Sequence, residues 1–362
     1  MTRKEYNVLS FYLTRLLFIG SGFPIMIDIA KNNSILCGIL GLILGYFILF
    51  IAHKGRISNI VNLFICLIVI LIGVLGVTSL SNTYLLFETP SLIIIGILIM
   101  LLLYGSSKSM QNIGWMSFVT FIVSSFVIIV ACISLFKFSK VCNLMPMFNT
   151  NICNFIKGVL VFAGTATLPN LLLINYKNDM KFKDISIGYV AASLLMILVL
   201  FFILGIYGYE FASYLRFPEY AILRNIDIMG VITNIENVLI LEWISCIIIS
   251  LMVSFRVLRD IFDKKVFYIF IVLFILGIYF VLIKTNYVNT LIIKNYINYI
   301  YIFICVIALV IRKRQSSWLS FRIFFFLDYL FLWFQLIWNH IFHSSFHVYY
   351  EGIVFYNLIY LL

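Results

Sequence analysis

Apolar residues run along this chain in long unbroken blocks separated by short polar turns, with no sustained alternation of apolar and polar positions. Blocks near 20 residues long predict helices that cross a bilayer. A barrel would instead show alternation over about ten residues at a time. Cutting the blocks at Pro, Gly, Asn and Lys clusters predicts ten spans, at 8–29, 34–52, 57–87, 91–106, 114–136, 155–175, 185–207, 233–257, 266–284 and 295–311. A further apolar stretch, 318–342, follows the basic cluster Arg312, Lys313 and Arg314. It reads either as an eleventh span or as a helix lying in the interface.

Composition narrows the class. Hydrophobic residues make up 64% of the 362 and charged residues 11%, and the mean hydropathy is +1.13. A soluble domain carries about 25% charged residues, so these cannot cover a water-facing surface, and disorder is excluded by the same figures. The expected fold is an all-α polytopic membrane protein.

The net charge of +11 points to topology rather than to nucleic acid, because the cations cluster between apolar blocks. With the N-terminus cytoplasmic, the inner side holds Arg3, Lys4, Lys54, Arg56, Lys108, Lys177, Lys181, Lys183, Arg256, Arg259, Lys264, Lys265, Arg312, Lys313, Arg314 and Arg322. The outer side holds Lys31, Lys137, Lys140, Lys157, Arg216, Arg224, Lys284 and Lys294, and Arg15 sits within the first span. The ratio of sixteen to eight favours an inner N-terminus in a multi-pass protein. Met1 to Asn7 shows no small-residue cleavage site of a removable signal peptide. Cys37, Cys66, Cys132, Cys246 and Cys305 lie in apolar runs and read as small buried hydrophobes; Cys142 and Cys153 share one loop, where a disulfide is the lesser alternative.

Two blocks contain breakers. The first span carries Gly20-Ser21-Gly22-Phe23-Pro24, and the sixth carries Gly164-Thr165-Ala166-Thr167-Leu168-Pro169. Each joins glycine freedom and small hydroxyls to a proline that lacks a backbone donor. Unwound backbone at membrane depth persists only where it lines a cavity or packs on protein, and two such breaks in equivalent places suggest two five-helix halves, about 1–137 and 155–311, arranged as an inverted repeat. The simple alternative is two kinked helices. Long third spans in each half, 57–87 and about 233–261, suit tilted helices beside the broken pair. The expected organisation is a membrane domain of ten transmembrane helices over 1–314, with broken first and sixth helices, and an aromatic, His-rich tail over 315–362.

Several strings, in order, resemble the spore germination permeases, the B subunits of nutrient germinant receptors, within the amino acid, polyamine and organocation transporter superfamily. Tyr207-Gly208-Tyr209-Glu210-Phe211-Ala212, then Leu215, Pro218, Leu223-Arg224, Ile226, Ile228 and Gly230, leading into Ile235-Glu236 and Trp243, is similar to the family's G-x-E, L-x-x-P and L-x-R pattern. Asn143-Leu144-Met145-Pro146 resembles its N-L-x-P. Phe162-Ala163-Gly164 with Leu171-Leu172-Leu173 and Tyr176-Lys177-Asn178 resembles its sixth helix and exit. The resemblance spans residues 8 to about 311. It departs at Ala166, where the family often has an acidic residue, at the early Pro24, and in the added residues 315–362.

The candidate ligand site gathers Gly20, Ser21, Gly22 and Phe23 from the first break, Gly164, Thr165 and Thr167 from the second, and Glu242 from span eight. Half-helix amides around Gly20 to Phe23 would receive a carboxylate, hydroxyls would add contacts, and apolar walls would select a side chain. Ionisable groups inside a span are functional candidates because burying charge in lipid is costly. Arg15 lies about two turns from the inner end of its span and is expected to snorkel to the surface. Glu242 is deeper and faces the bundle; Glu236 starts span eight, and Asp28 reads as a cap or vestibule residue. His340, His343 and His347 share a helical face with Glu351 one turn on. They fit an interfacial helix better than a metal site, so no metal or cofactor is expected. No catalytic motif appears, which points away from an enzyme.

The resemblance implies a nutrient-sensing subunit in the cell or spore inner membrane, partnered by a small ligand such as an amino acid, by other germinant-receptor subunits and by the bilayer. The alternative is a secondary amino-acid or cation-coupled transporter. Scarce charge argues for a small neutral or zwitterionic ligand.

Overall fold

The computed structural model describes residues 1–55, 57, 59–86, 88–146, 150–176, 181–215, 217–224, 235–262 and 267. All of its regular structure over these residues is helical. The order is α1 (Arg3–Leu16), a π turn (Phe18–Gly22), α2 (Phe23–Ala30), α3 (Ser34–Lys54), α4 (Asn59–Leu80) with a π turn (Ser81–Leu85), α5 (Ser91–Ser106) and α6 (Met110–Phe136). It continues with α7 (Ile152–Thr167), a 3-10 run (Pro169–Tyr176), α8 (Phe182–Tyr214), the short α9 (Pro218–Leu223) and α10 (Ile235–Ile261). Helices therefore stand at the places of the first eight predicted spans. The ninth span apart from Phe267, the tenth span, the stretch 318–342 and the three tail histidines lie outside the described residues.

Among the described residues six stretches are long and apolar enough to cross a membrane: Phe23–Lys54, Val61–Leu85, Met110–Phe136, Ile152–Ile174, Phe182–Tyr214 and Val238–Ile261. Inside the first of them Lys31 has φ 51°, which turns the chain between α2 and α3. Helix α5 is shorter, and its 16 residues reach about 24 Å.

Burial sorts the helices into inner and outer ones. Within their most apolar windows 78% of Ile152–Ile174 and 72% of Val238–Ile261 are buried, against 17% of Met110–Phe136. The outer faces are apolar too: Ile97 and Met100 on α5 and Ile122, Val123, Phe126 and Ile133 on α6 are exposed. Exposed apolar area on this scale is a liability in water and is what lipid covers.

The centre is α1. It packs on α8, α6 and α10, while α3 packs on α7 and α8, and α4 and α5 pack on α10. Its start is fixed by Thr2, whose hydroxyl accepts from the Glu5 amide at 3.3 Å while the Thr2 amide donates to Glu5 Oε2 at 2.7 Å. These reciprocal bonds satisfy two of the amides a helix start leaves unpaired. On α3, a β-carbon at Gly41 would lie 2.7 Å from Phe162 Cβ and 2.9 Å from the Val159 carbonyl, so glycine there sets the close approach of α3 to α7. Helix α8 bends at Gly208, with φ 68° and ψ 166°, a conformation that favours glycine.

Candidate functional site

Pro24 has no N–H, so the Gly20 carbonyl four residues earlier loses its ordinary helical donor. The chain answers with the π turn at Phe18–Gly22 and stays right-handed through Gly22 and Phe23. This differs from the unwound backbone expected of a broken first helix: the helix widens by one residue per turn instead of opening. Ser21 donates its hydroxyl back to the Leu17 carbonyl at 2.9 Å.

The interruption after α7 takes another form. Leu168 still donates to Gly164 at 3.0 Å, and Leu171 already bonds three residues back to Leu168 at 3.2 Å. Pro169 again removes one donor, and the side chain of Asn170 repairs the next position by donating to the Ala166 carbonyl at 2.9 Å. Asn170 also donates to the Thr14 hydroxyl at 2.7 Å and accepts from Ser10 at 2.7 Å. The single Ser10 proton is shared between Asn170 and the Ile185 carbonyl, 2.9 Å away. This buried network ties the 3-10 run to α1 and α8.

The two interruptions meet. A β-carbon at Gly22 would lie 3.3 Å from Thr165 Cγ2 and 2.9 Å from the Leu17 carbonyl. Phe18 stacks near Phe162 with centroids 4.9 Å apart and near Phe23 at 5.6 Å. Gly22 and Thr165 are thus brought together, Phe23 packs on Phe18 and lines the cavity instead, and Gly20, Ser21 and Gly164 belong to the same two segments. Thr165 and Thr167 donate to the carbonyls of Val161 and Ala163, both at 2.7 Å. Thr167 faces α3, where its methyl would meet a β-carbon at Gly45.

Glu242 lies elsewhere around the first helix. Arg15 donates through Nη1 to Glu242 Oε1 at 2.6 Å and through Nη2 to Oε2 at 2.7 Å, with side-chain exposures of 1% and 4%. Arg15 does not snorkel. Its two-turn distance from the helix end is irrelevant once a carboxylate from α10 meets it, because a bidentate pair offsets desolvation better than a strained reach to water. The Phe11 ring adds a face 5.2 Å from the guanidinium carbon.

Against Arg15 lies a cavity of about 50 Å³, room for roughly three to five waters and far short of the ~300 Å³ or more of a typical ligand pocket. Its wall holds Arg15, Ile19 and Phe23 from the first helix, Ala131 and Cys132 from α6, Met196 and Phe202 from α8, Glu219 from α9, and Leu239 and Trp243 from α10. The π turn therefore has two sides, one packed on α7 and one facing the cavity. Glu219 is fully buried. It follows the L-x-x-P connection, and its sequence signal is a carboxylate placed directly after Pro218 in an apolar segment.

At the far end of α10, Arg256 pairs with Asp260 at 2.9 Å and donates to the Lys108 carbonyl at 3.1 Å. Arg259 donates to the Ser106 carbonyl at 3.2 Å, and the Tyr176 hydroxyl donates to Asp260. Burial and this carboxylate raise the Tyr176 pKa above its ordinary value. Cys142 and Cys153 are both exposed and unbonded. Among the described residues no group of three or more His, Cys, Asp or Glu side chains could hold a metal.

No curated protein matches the chain. A family model described as spore germination protein matches residues 10–290. That interval includes both interruptions, the Arg15–Glu242 pair and the cavity between them and α9. With all-helical structure, lipid-suited outer faces and a family match over most of its length, the chain is a multi-pass membrane protein that belongs to the spore germination permease family.

Proposed function

We propose that this chain is the nutrient-sensing subunit of a spore germinant receptor, binding a small amino-acid-like ligand beside the interruption of the first helix. The observation that carries this reading is the juxtaposition of the π turn at Phe18–Gly22 with Thr165 on one side and with the cavity and Arg15 on the other. π turns within helices are frequent at functional sites, and a ligand that binds one of two arrangements better shifts the balance toward it. In this reading the ligand contacts come from Gly20, Ser21, Gly22, Phe23, Gly164, Thr165 and Thr167, with Glu242 acting through Arg15.

The proposal includes ten helices in two inverted halves, a cytoplasmic N-terminus and other receptor subunits that receive the change of shape. Deleting the chain in its sporulating host should abolish germination triggered by its nutrient while leaving nutrient-independent germination intact. A transporter reading predicts instead saturable uptake into proteoliposomes containing this chain alone. Uptake without a germination defect would replace the sensor reading by the carrier.

A further inference from the structure

Arg15 and Glu242 are the one place among the described residues where two opposite charges are both almost wholly buried. The pair is more than a strut between α1 and α10, because Arg15 also forms cavity wall and its Nε has no hydrogen-bond partner among the described residues. A planar guanidinium presents its donors in a fork that matches any carboxylate, not only that of Glu242. Of the rest of the wall, Ile19, Ala131, Leu239 and Trp243 are apolar, and Glu219 on α9 is its other carboxylate. A short acyl chain would fit that lining, and a carboxylate at its end would meet the guanidinium.

Charge balance dictates how such a ligand can enter. Arg15 is already neutralised, and a second anion beside Glu242 would leave net buried charge, which is prohibitively costly at this depth. The exchange becomes electroneutral when Glu242 takes a proton as the ligand arrives. We propose that the cavity is a binding site for a small carboxylate that replaces Glu242 on Arg15, Glu242 taking up one proton from water in the same step. The guanidinium stays charged throughout; only its carboxylate partner changes. Release of Glu242 would free α10 from α1, which links occupancy to the packing of the two helices.

Among the described residues the titratable groups around Glu242 are few. Arg15 and Tyr12 face it from α1, Cys246 from its own helix, and Cys132 on α6 lies near Arg15. Glu219 on α9 shares the cavity wall. From α4 the nearest such group is Cys66, against Ser254 three turns further along α10, and α5 offers only the exposed Tyr104. Glu242 is therefore the carboxylate tied to Arg15, and it is the one the exchange protonates.

This inference rests on the reading that ligand binds beside the first interruption, and it is tested apart from germination. The full chain in lipid nanodiscs would be titrated with propionate and with propionamide, its neutral counterpart, between pH 5 and 8 in weak buffer. The expected result is binding of propionate alone, with close to one proton taken up per propionate. Apparent affinity should weaken about tenfold per pH unit on the alkaline side. Glu242→Gln mimics the protonated state, so it should bind propionate more tightly, without proton uptake and without pH dependence. Arg15→Met alone leaves Glu242 stranded and can unfold the protein. The double variant Arg15→Met/Glu242→Gln removes both charges, should stay folded, and should lose propionate binding. Equal binding of propionamide, retained binding in the double variant, or no propionate binding by a folded Glu242→Gln protein would each overturn the exchange. A nutrient response that persists in spores despite such a result would leave the sensor reading standing.

Discussion

Arg15 on α1 and Glu242 on α10, 227 residues apart in sequence, are joined by two hydrogen bonds of 2.6 and 2.7 Å in the buried centre of the bundle. Removing one member strands the other charge, which costs about 3–5 kcal/mol. Glu242→Ala or Arg15→Ala should therefore lower the thermal stability of the purified protein sharply. The neutral double variant Arg15→Met/Glu242→Gln should recover most of it. A double variant as unstable as the singles would show that the pair does not act as a unit.

Gly22 should tolerate no side chain. A β-carbon there would stand 2.9 Å from backbone oxygen and 3.3 Å from Thr165, and overpacking of this kind costs roughly 1–3 kcal/mol. Gly96 on the outward side of α5 has nothing within 4 Å of its would-be β-carbon. Gly22→Ala should reduce stability in detergent or nanodiscs, and Gly96→Ala should leave it within experimental scatter.

Asn170 closes the second interruption through bonds to Ser10, Thr14 and the Ala166 carbonyl. Asn170→Ala leaves these buried groups short of partners, each at about 1–3 kcal/mol. Hydrogen exchange should rise in the segment after Pro169 and in α1 before it rises elsewhere. Unchanged protection there would remove the network from the account.

The contact of Tyr176 with Asp260 gives an alkaline signature. Its raised pKa favours the protonated phenol in the folded protein, so the contribution is fully present below the unfolded value near 10 and is lost as pH rises through the folded value. Tyr176→Phe should weaken the protein at neutral pH and flatten its stability loss above pH ~10. The readout is thermal unfolding of both proteins across that range.

Much of the architecture was legible because its causes are local. Proline without a donor marks Pro24 and Pro169 in any helix, and unbroken apolar runs give the spans. What each interruption becomes was not legible, since a π turn at Gly22 and a 3-10 run at Pro169 depend on what packs against them, Thr165 in one case and the Ser10 and Thr14 hydroxyls in the other. Arg15 was misread for the same reason. Its position two turns from a helix end is local and suggests snorkelling, whereas its partner arrives from α10. Glu242 was rightly expected to face the interior, but nothing in the sequence said that a cation waits there. Glu219 went unmarked because a carboxylate after a proline in a connection looks like solvent-facing polarity.

The central claim is that nutrient sensing runs through the first interruption and its contact with α7. Spores carrying Gly22→Leu in place of the native chain, at matched membrane levels of the protein, test it most directly through nutrient-triggered germination. The account predicts that the response is lost while germination by nutrient-independent triggers continues. An unaltered nutrient response with Gly22→Leu in the membrane would contradict it.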